Sequence, residues 1–125
     1  MPITNMKPDY PIFWNTQKFD SIPEDLDWLS IPEQNRYLQF RFPKRQKDWL
    51  LGRWVAKNLL SNLLIYSDTF PFRELSILNE DSGAPYVIWK GQCLGGSLSI
   101  SHRGENAVAA FCFNPEITIG IDLEE

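Results

Sequence analysis

The chain has 125 residues, 43% of them apolar and 22% charged, which suits one globular domain that buries roughly two-thirds of its extended-chain surface. A formal net charge of -4 excludes bulk attraction to nucleic acid or to an anionic membrane, although not a local basic patch. No apolar run approaches the roughly 18 residues needed to span a bilayer, and MPITNMKPDYP lacks a basic segment followed by an apolar run, so a cytoplasmic protein is expected.

Residues 1 to about 31 are rich in Pro, Asn and Asp and read as an irregular entry. A short strand is expected near Tyr10–Trp14, and a short helix over Glu24–Leu29 is a further candidate. Pro32, Glu33 and Gln34 form a helix start, because Pro fits the first turn and acids favour the positive end of the helix dipole. That helix should run to about Phe40, before Pro43 ends or restarts it. From Pro43 to about Tyr66 the spacing Leu51, Val55, Leu59, Leu63 predicts one long amphipathic helix, with Arg45, Arg53 and Lys57 on the side away from the apolar stripe. Gly52 weakens that helix unless something must approach its backbone.

After about Pro71 the period changes to two. ELSILN, YVIW, SLSIS, AVAAFCF and ITIGIDL read as strands, and NEDSGAP, KGQCLGG, HRGEN and NPE as turns. The last three strands are expected to be consecutive antiparallel neighbours. One long helix packed on a small, mostly antiparallel sheet is an α+β fold. Cys93 and Cys112 show no metal-type spacing and read as reduced thiols.

Four places can carry chemistry. Strand alternation sets Asp122 and Glu124 on one face, roughly 7 Å apart, while Ile117, Ile119, Ile121 and Leu123 take the other. Such a pair suits Mg²⁺, and it equally suits a solvated strand face with a charged end. Ser101 and His102, at a strand end with a glycine turn following, can hold a phosphate or merely cap a hairpin. Arg45 and Arg53 lie slightly over two helical turns apart and project to one side, as a phosphate clamp or as an ordinary solvated face. Gly83 and Pro85, in Ser82-Gly83-Ala84-Pro85, define a tight turn that needs no function at all.

Taken in order, RxxxWLLGRxxAK, SGxP, SISHxGxxAVAA and IGIDLE resemble the Sfp-type 4′-phosphopantetheinyl transferases, over about Phe42–Glu124. The resemblance implies transfer of the phosphopantetheine arm of coenzyme A to a serine of an acyl or peptidyl carrier protein, with Mg²⁺ required. It implies Asp122 and Glu124 as metal ligands, with Arg45, Arg53, Ser101 and His102 on the 3′-phosphate of coenzyme A. The turn with Gly83 and Pro85 would pack by the adenine. Ala84 stands where the family often has Lys or Arg, so a cationic contact is missing or comes from Lys90 or Arg103. Members of that type are longer, with two similar halves related by a pseudo-twofold axis. Residues 1–125 therefore correspond to the N-terminal half, and the catalytic base is expected in a C-terminal half that is absent here. Completion by that half or by self-association is implied, with no nucleic acid or membrane partner. The alternative is a non-catalytic half-domain that docks a carrier protein or a partner chain.

Overall fold

The computed structural model describes residues 3–4, 11–64, 71–114 and 120–121. Its elements run β1 (Ile3–Thr4), β2 (Phe13–Lys18), α1 (Ile31–Leu38), α2 (Pro43–Leu64), β3 (Leu75–Asn79), β4 (Pro85–Trp89), β5 (Gln92–Leu94), β6 (Ser97–Arg103), β7 (Asn106–Cys112) and β8 (Gly120–Ile121). The α+β class is the one expected, with two helices and two three-stranded antiparallel sheets, ordered β2-β7-β6 and β3-β4-β5.

α1 starts where its capping chemistry dictates. Ser30 Oγ accepts from the Glu33 amide at 3.4 Å, and Glu33 Oε1 accepts from the Ser30 amide at 2.9 Å. No helix forms over residues 24–29. Asp25 Oδ1 accepts from the Asp27 amide at 2.9 Å instead, a local turn that competes with helical hydrogen bonding. The strand expected near Tyr10–Trp14 lies later, at Phe13–Lys18, and pairs antiparallel with β7 from Phe13↔Phe111 to Lys18↔Asn106.

Leu51, Val55, Leu59 and Leu60 of α2 bury against Phe13, Leu98, Ile100, Ala107, Ala109 and Phe111 of the β2-β7-β6 sheet, with Leu75, Ile77 and Val87 in the same cluster. Small residues on β7 let the helix approach closely. The other side of α2 is not solvent. Trp28, Leu29 and Leu50 form a second buried cluster there, with Tyr37, Trp49, Trp54 and Phe72 packed around it. Arg53 and Lys57 are consequently buried, which corrects their placement on an exposed basic stripe. The helical period assigned them to the face away from one core, but a second layer, α1 and the segment before it, covers that face.

Lys57 is held by this second layer. Its Nζ pairs with Glu33 Oε1 and donates to the carbonyls of Trp28 and Phe72, both at 2.9 Å. Glu33 Oε2 accepts from the Ile77 amide at 2.8 Å, and Ser76 Oγ donates to Ser30 Oγ at 2.7 Å. Burial pushes the Lys57 ammonium below its ordinary value, and the Glu33 charge and hydrogen bond pull it back up.

β5 forms from KGQCLGG, a stretch whose composition suggests only a turn. Lys90 and Gly91 carry φ of 52° and 78° and join β4 to β5 through a two-residue loop, with Trp89 opposite Gln92. The described part of β8 pairs with β1, Ile3 opposite Ile121, rather than continuing β6 and β7 as a third hydrogen-bonded neighbour. Cys93 is exposed and Cys112 buried, and both are free thiols.

Gly96 leads into β6 at φ 129°, where a Cβ would stand 2.5 Å from Phe111 Cζ and 2.7 Å from the Cys112 carbonyl oxygen. Gly96→Ala is therefore expected to cost about 3 kcal/mol, combining backbone strain with overpacking. A urea midpoint within error of the unsubstituted chain would refute this.

Candidate functional site

A cavity of about 550 Å³ opens between α2, the end of α1, the β3–β4 turn and β6. α2 contributes Arg45, Asp48, Trp49, Gly52 and Arg53, α1 and the residues after it Arg36 and Phe40, the turn region Asn79, Gly83 and Pro85, and β6 Leu98, Ser99, Ile100 and His102. Five of the six residues expected to hold the cofactor thus line one space: Arg45, Arg53, Gly83, Pro85 and His102. Ser101 is not among the lining residues, although Ser99, Ile100 and His102 of the same strand are. Asp122 and Glu124 lie outside the described residues.

Gly52 is explained by the floor of this cavity. A Cβ there would stand 3.3 Å from Ile100 Cγ2, so the glycine lets β6 come close to the helix.

The electrostatics are dominated by guanidinium groups. Arg53 is buried, its Nη2 donates to Asn79 Oδ1, and its guanidinium lies 4.9 Å from the Trp49 ring centre. Burial pushes its pKa below the ordinary arginine value to about 10, while Glu33 draws it up and Arg36 pushes it further down. It therefore stays charged at neutral pH. Arg53 Nε and Trp49 Nε1 are buried without an acceptor among the described residues. Trp28 Nε1, outside the cavity lining, is in the same position.

Arg36 packs over Phe40 at 4.3 Å and adds a third arginine to the wall. Neither Lys90 nor Arg103 lines the cavity. Among the described residues, Asp48 is the one carboxylate of the wall. Its Oδ2 accepts from Lys44 Nζ at 3.1 Å, and its Oδ1 lies 3.9 Å from His102 Nδ1.

The β3–β4 turn is locked by its own hydrogen bonds. The Gly83 amide donates to the Glu80 carbonyl at 2.8 Å, and the Glu80 amide to the Ala84 carbonyl at 2.9 Å. Gly83 has φ 93°, the left-handed region that glycine takes without strain. Asn79 Nδ2 donates to the Gly83 carbonyl at 2.9 Å, which ties the turn to Arg53.

Arg36 and Asn79 were not singled out in the sequence, and Trp49 only as the tryptophan of RxxxWLLGRxxAK. Trp49 and Arg53 are four residues apart and share a helix face, a signal that was present. Arg36 and Asn79 come from other elements, and only tertiary packing brings them here.

Among the described residues, no group of three or more His, Cys, Asp or Glu side chains is placed to hold a metal ion, so this part of the chain does not by itself fit a Mg²⁺ site. No helix among them is long and apolar enough to cross a membrane.

Comparison with known proteins gives a consistent family. Residues 33–112 match the family described as 4′-phosphopantetheinyl transferase N-terminal domain. A holo-[acyl-carrier-protein] synthase of Streptococcus agalactiae is 41% identical over 76 residues, covering 59% of this chain and 63% of that protein, so under two thirds of that relative is spanned. The Petrotoga mobilis holo-[acyl-carrier-protein] synthase is 32% identical over 90 residues, covering 65% of this chain and 74% of that protein. In structure, a holo-(acyl-carrier-protein) synthase from Bacillus anthracis, solved in complex with CoA (3′,5′-ADP), superposes with a TM-score of 0.65 at 25% identity, over 81% of this chain and 92% of that one. These relatives are holo-[acyl-carrier-protein] synthases rather than the Sfp type suggested by the order of motifs, and the superfamily is what the two readings share. The chain belongs to the 4′-phosphopantetheinyl transferase N-terminal domain family.

Proposed function

We propose that this chain holds coenzyme A for transfer of its 4′-phosphopantetheine arm to a serine of an acyl carrier protein. The observation that carries the reading is the convergence of three arginines, Arg36, Arg45 and Arg53, with His102 on one cavity. Guanidinium groups bind a phosphate in bidentate fashion, and a cavity lined by three of them suits one. The Bacillus anthracis synthase, solved with CoA (3′,5′-ADP), supports adenosine phosphates as the ligand class. In the reaction the serine oxygen attacks the β-phosphorus, the bond to the bridging oxygen breaks, and adenosine 3′,5′-bisphosphate leaves. The serine proton needs a base, and that base is assigned to a part outside these 125 residues.

Three finer assignments belong to this proposal. Arg45, Arg53 and His102 take the 3′-phosphate, with Arg36 added to the set; Ser101, expected with them, lies outside the cavity lining. Asp122 and Glu124 ligate Mg²⁺, which would neutralise pyrophosphate charge. The chain is one half of the catalytic unit, completed by a C-terminal half or by a second copy; the family description as an N-terminal domain supports the first. Docking without catalysis is the second reading, favoured by the exposed apolar side chains of Ile31, Leu38 and Phe42.

Intact-mass spectrometry of an apo carrier protein with this chain, coenzyme A and Mg²⁺ tests the reading. The expected product is heavier by one phosphopantetheinyl group, and EDTA or Asp122→Ala abolishes it. Formation by this chain alone would mean that copies complete one another, and formation only after a C-terminal half is added would mean a divided enzyme. Modification that survives both EDTA and Asp122→Ala would remove the metal assignment. No modification in any combination would leave docking as the function.

A further inference from the structure

We propose that Asn79 is a positioning residue that locks the Arg53 guanidinium to the β3–β4 turn, so that the ribose phosphate and the base of an adenosine nucleotide are read as one rigid unit. The inference rests on the coenzyme A reading above and adds to it a residue that discriminates ligands.

The geometry is a two-sided amide. Asn79 Oδ1 accepts from Arg53 Nη2, and Asn79 Nδ2 donates to the Gly83 carbonyl at 2.9 Å. A guanidinium only donates and a carbonyl only accepts, so a single orientation of the amide serves both partners. No other residue type of this size offers an acceptor and a donor in that arrangement. Asn79 ends β3 directly opposite Pro85, so its backbone is fixed by the strand pair on which the turn is built. The turn has little slack of its own, given its internal bonds from Gly83 to Glu80 and from Glu80 to Ala84.

On the arginine side, Asn79 is the hydrogen-bond acceptor that holds the guanidinium among the described residues, with the Trp49 ring 4.9 Å away. The Glu33 carboxylate, which also draws Arg53, is already occupied by the Ser30 amide, the Ile77 amide and Lys57. Removing Asn79 therefore frees the guanidinium to turn within the cavity without removing its charge. A ligand that reaches both Arg53 and the turn should feel that loss. One that reaches only the turn should not.

The test is calorimetric binding of adenosine 3′,5′-bisphosphate and of adenosine 5′-monophosphate to this chain and to Asn79→Ala, Arg53→Met and the double variant. Asn79→Ala is expected to weaken the bisphosphate about tenfold, the scale of one charge-assisted hydrogen bond, and the monophosphate less than about twofold. In the Arg53→Met background the second substitution should change neither ligand, because Asn79 acts through Arg53. Asn79→Asp keeps the acceptor, sets a carboxylate against the Gly83 carbonyl and partly neutralises Arg53, so it should weaken the bisphosphate at least as much. Equal losses for both ligands, or losses that simply multiply in the double variant, would overturn the relay. Binding by the unsubstituted chain with Asn79→Ala unaffected would overturn the relay alone, whereas no nucleotide binding by the unsubstituted chain would overturn the coenzyme A reading and the relay with it.

Discussion

Arg53→Ala is expected to weaken coenzyme A binding about 30-fold or more, and 3′-dephospho-coenzyme A by less than about threefold, since a buried guanidinium on a phosphate is worth roughly 2–3 kcal/mol. The expectation follows from where the charge sits. Arg53 is buried and, among the described residues, has one Nη2 bond to Asn79, so its charge is poorly screened by water. An anion that meets it therefore gains more than it would from a surface arginine. Equal losses for the two ligands would mean that Arg53 does not read the 3′-phosphate. The pH dependence has a definite sign. Burial lowers the guanidinium to about 10, so anion affinity should be flat through neutral pH and fall as pH rises through about 10. A bound phosphate stabilises the charged form and raises that value, so binding near the upper end of this range takes up a proton. Calorimetry in two buffers of different ionisation enthalpy reads that uptake directly.

Lys57→Met should lower stability by about 3–5 kcal/mol, the cost of stranding a buried carboxylate whose counter-charge has been removed. Glu33 would keep its bonds from the Ser30 and Ile77 amides but lose its ion pair, in a position with no access to solvent. The double variant Glu33→Leu/Lys57→Met removes both charges together but strips the Ser30 and Ile77 amides of their acceptor, so it is expected to recover only part of the loss. Urea unfolding of the three chains gives the comparison. A single variant within about 1 kcal/mol of the unsubstituted chain would show that water or a neighbouring donor reaches Glu33, against its burial.

The elements that were legible in the sequence are those whose pattern is local. α2 announced itself by Leu51, Val55, Leu59 and Leu63, and β3, β4, β6 and β7 by their period of two. Five cavity residues were singled out only by the order of four short motifs that resembles the family, because each motif by itself had an ordinary structural reading. What was missed depends on packing between distant segments. Nothing in the helical period of α2 says that α1 will cover Arg53 and Lys57. β5 was read as a loop because Lys90 occupies a left-handed position usually taken by Asn or Gly. Arg36 is an ordinary helix residue until α1 docks. Asp122 and Glu124 lie beyond the described residues, and their role stays a reading of the sequence.

Glu33 joins three stretches of chain through one carboxylate: the first turn of α1, the middle of α2 and the backbone of β3. An eight-residue helix is too short to persist in water by itself, so α1 borrows its persistence from that junction. Opening of α1 cannot be a private event at the surface, since it exposes the Ile77 amide and the Lys57 ammonium at the same moment. Arg36 lies one turn beyond Glu33 on the same helix. The cavity's third cation is thus carried on an element that opens only together with the core, and its steadiness is that of the whole domain.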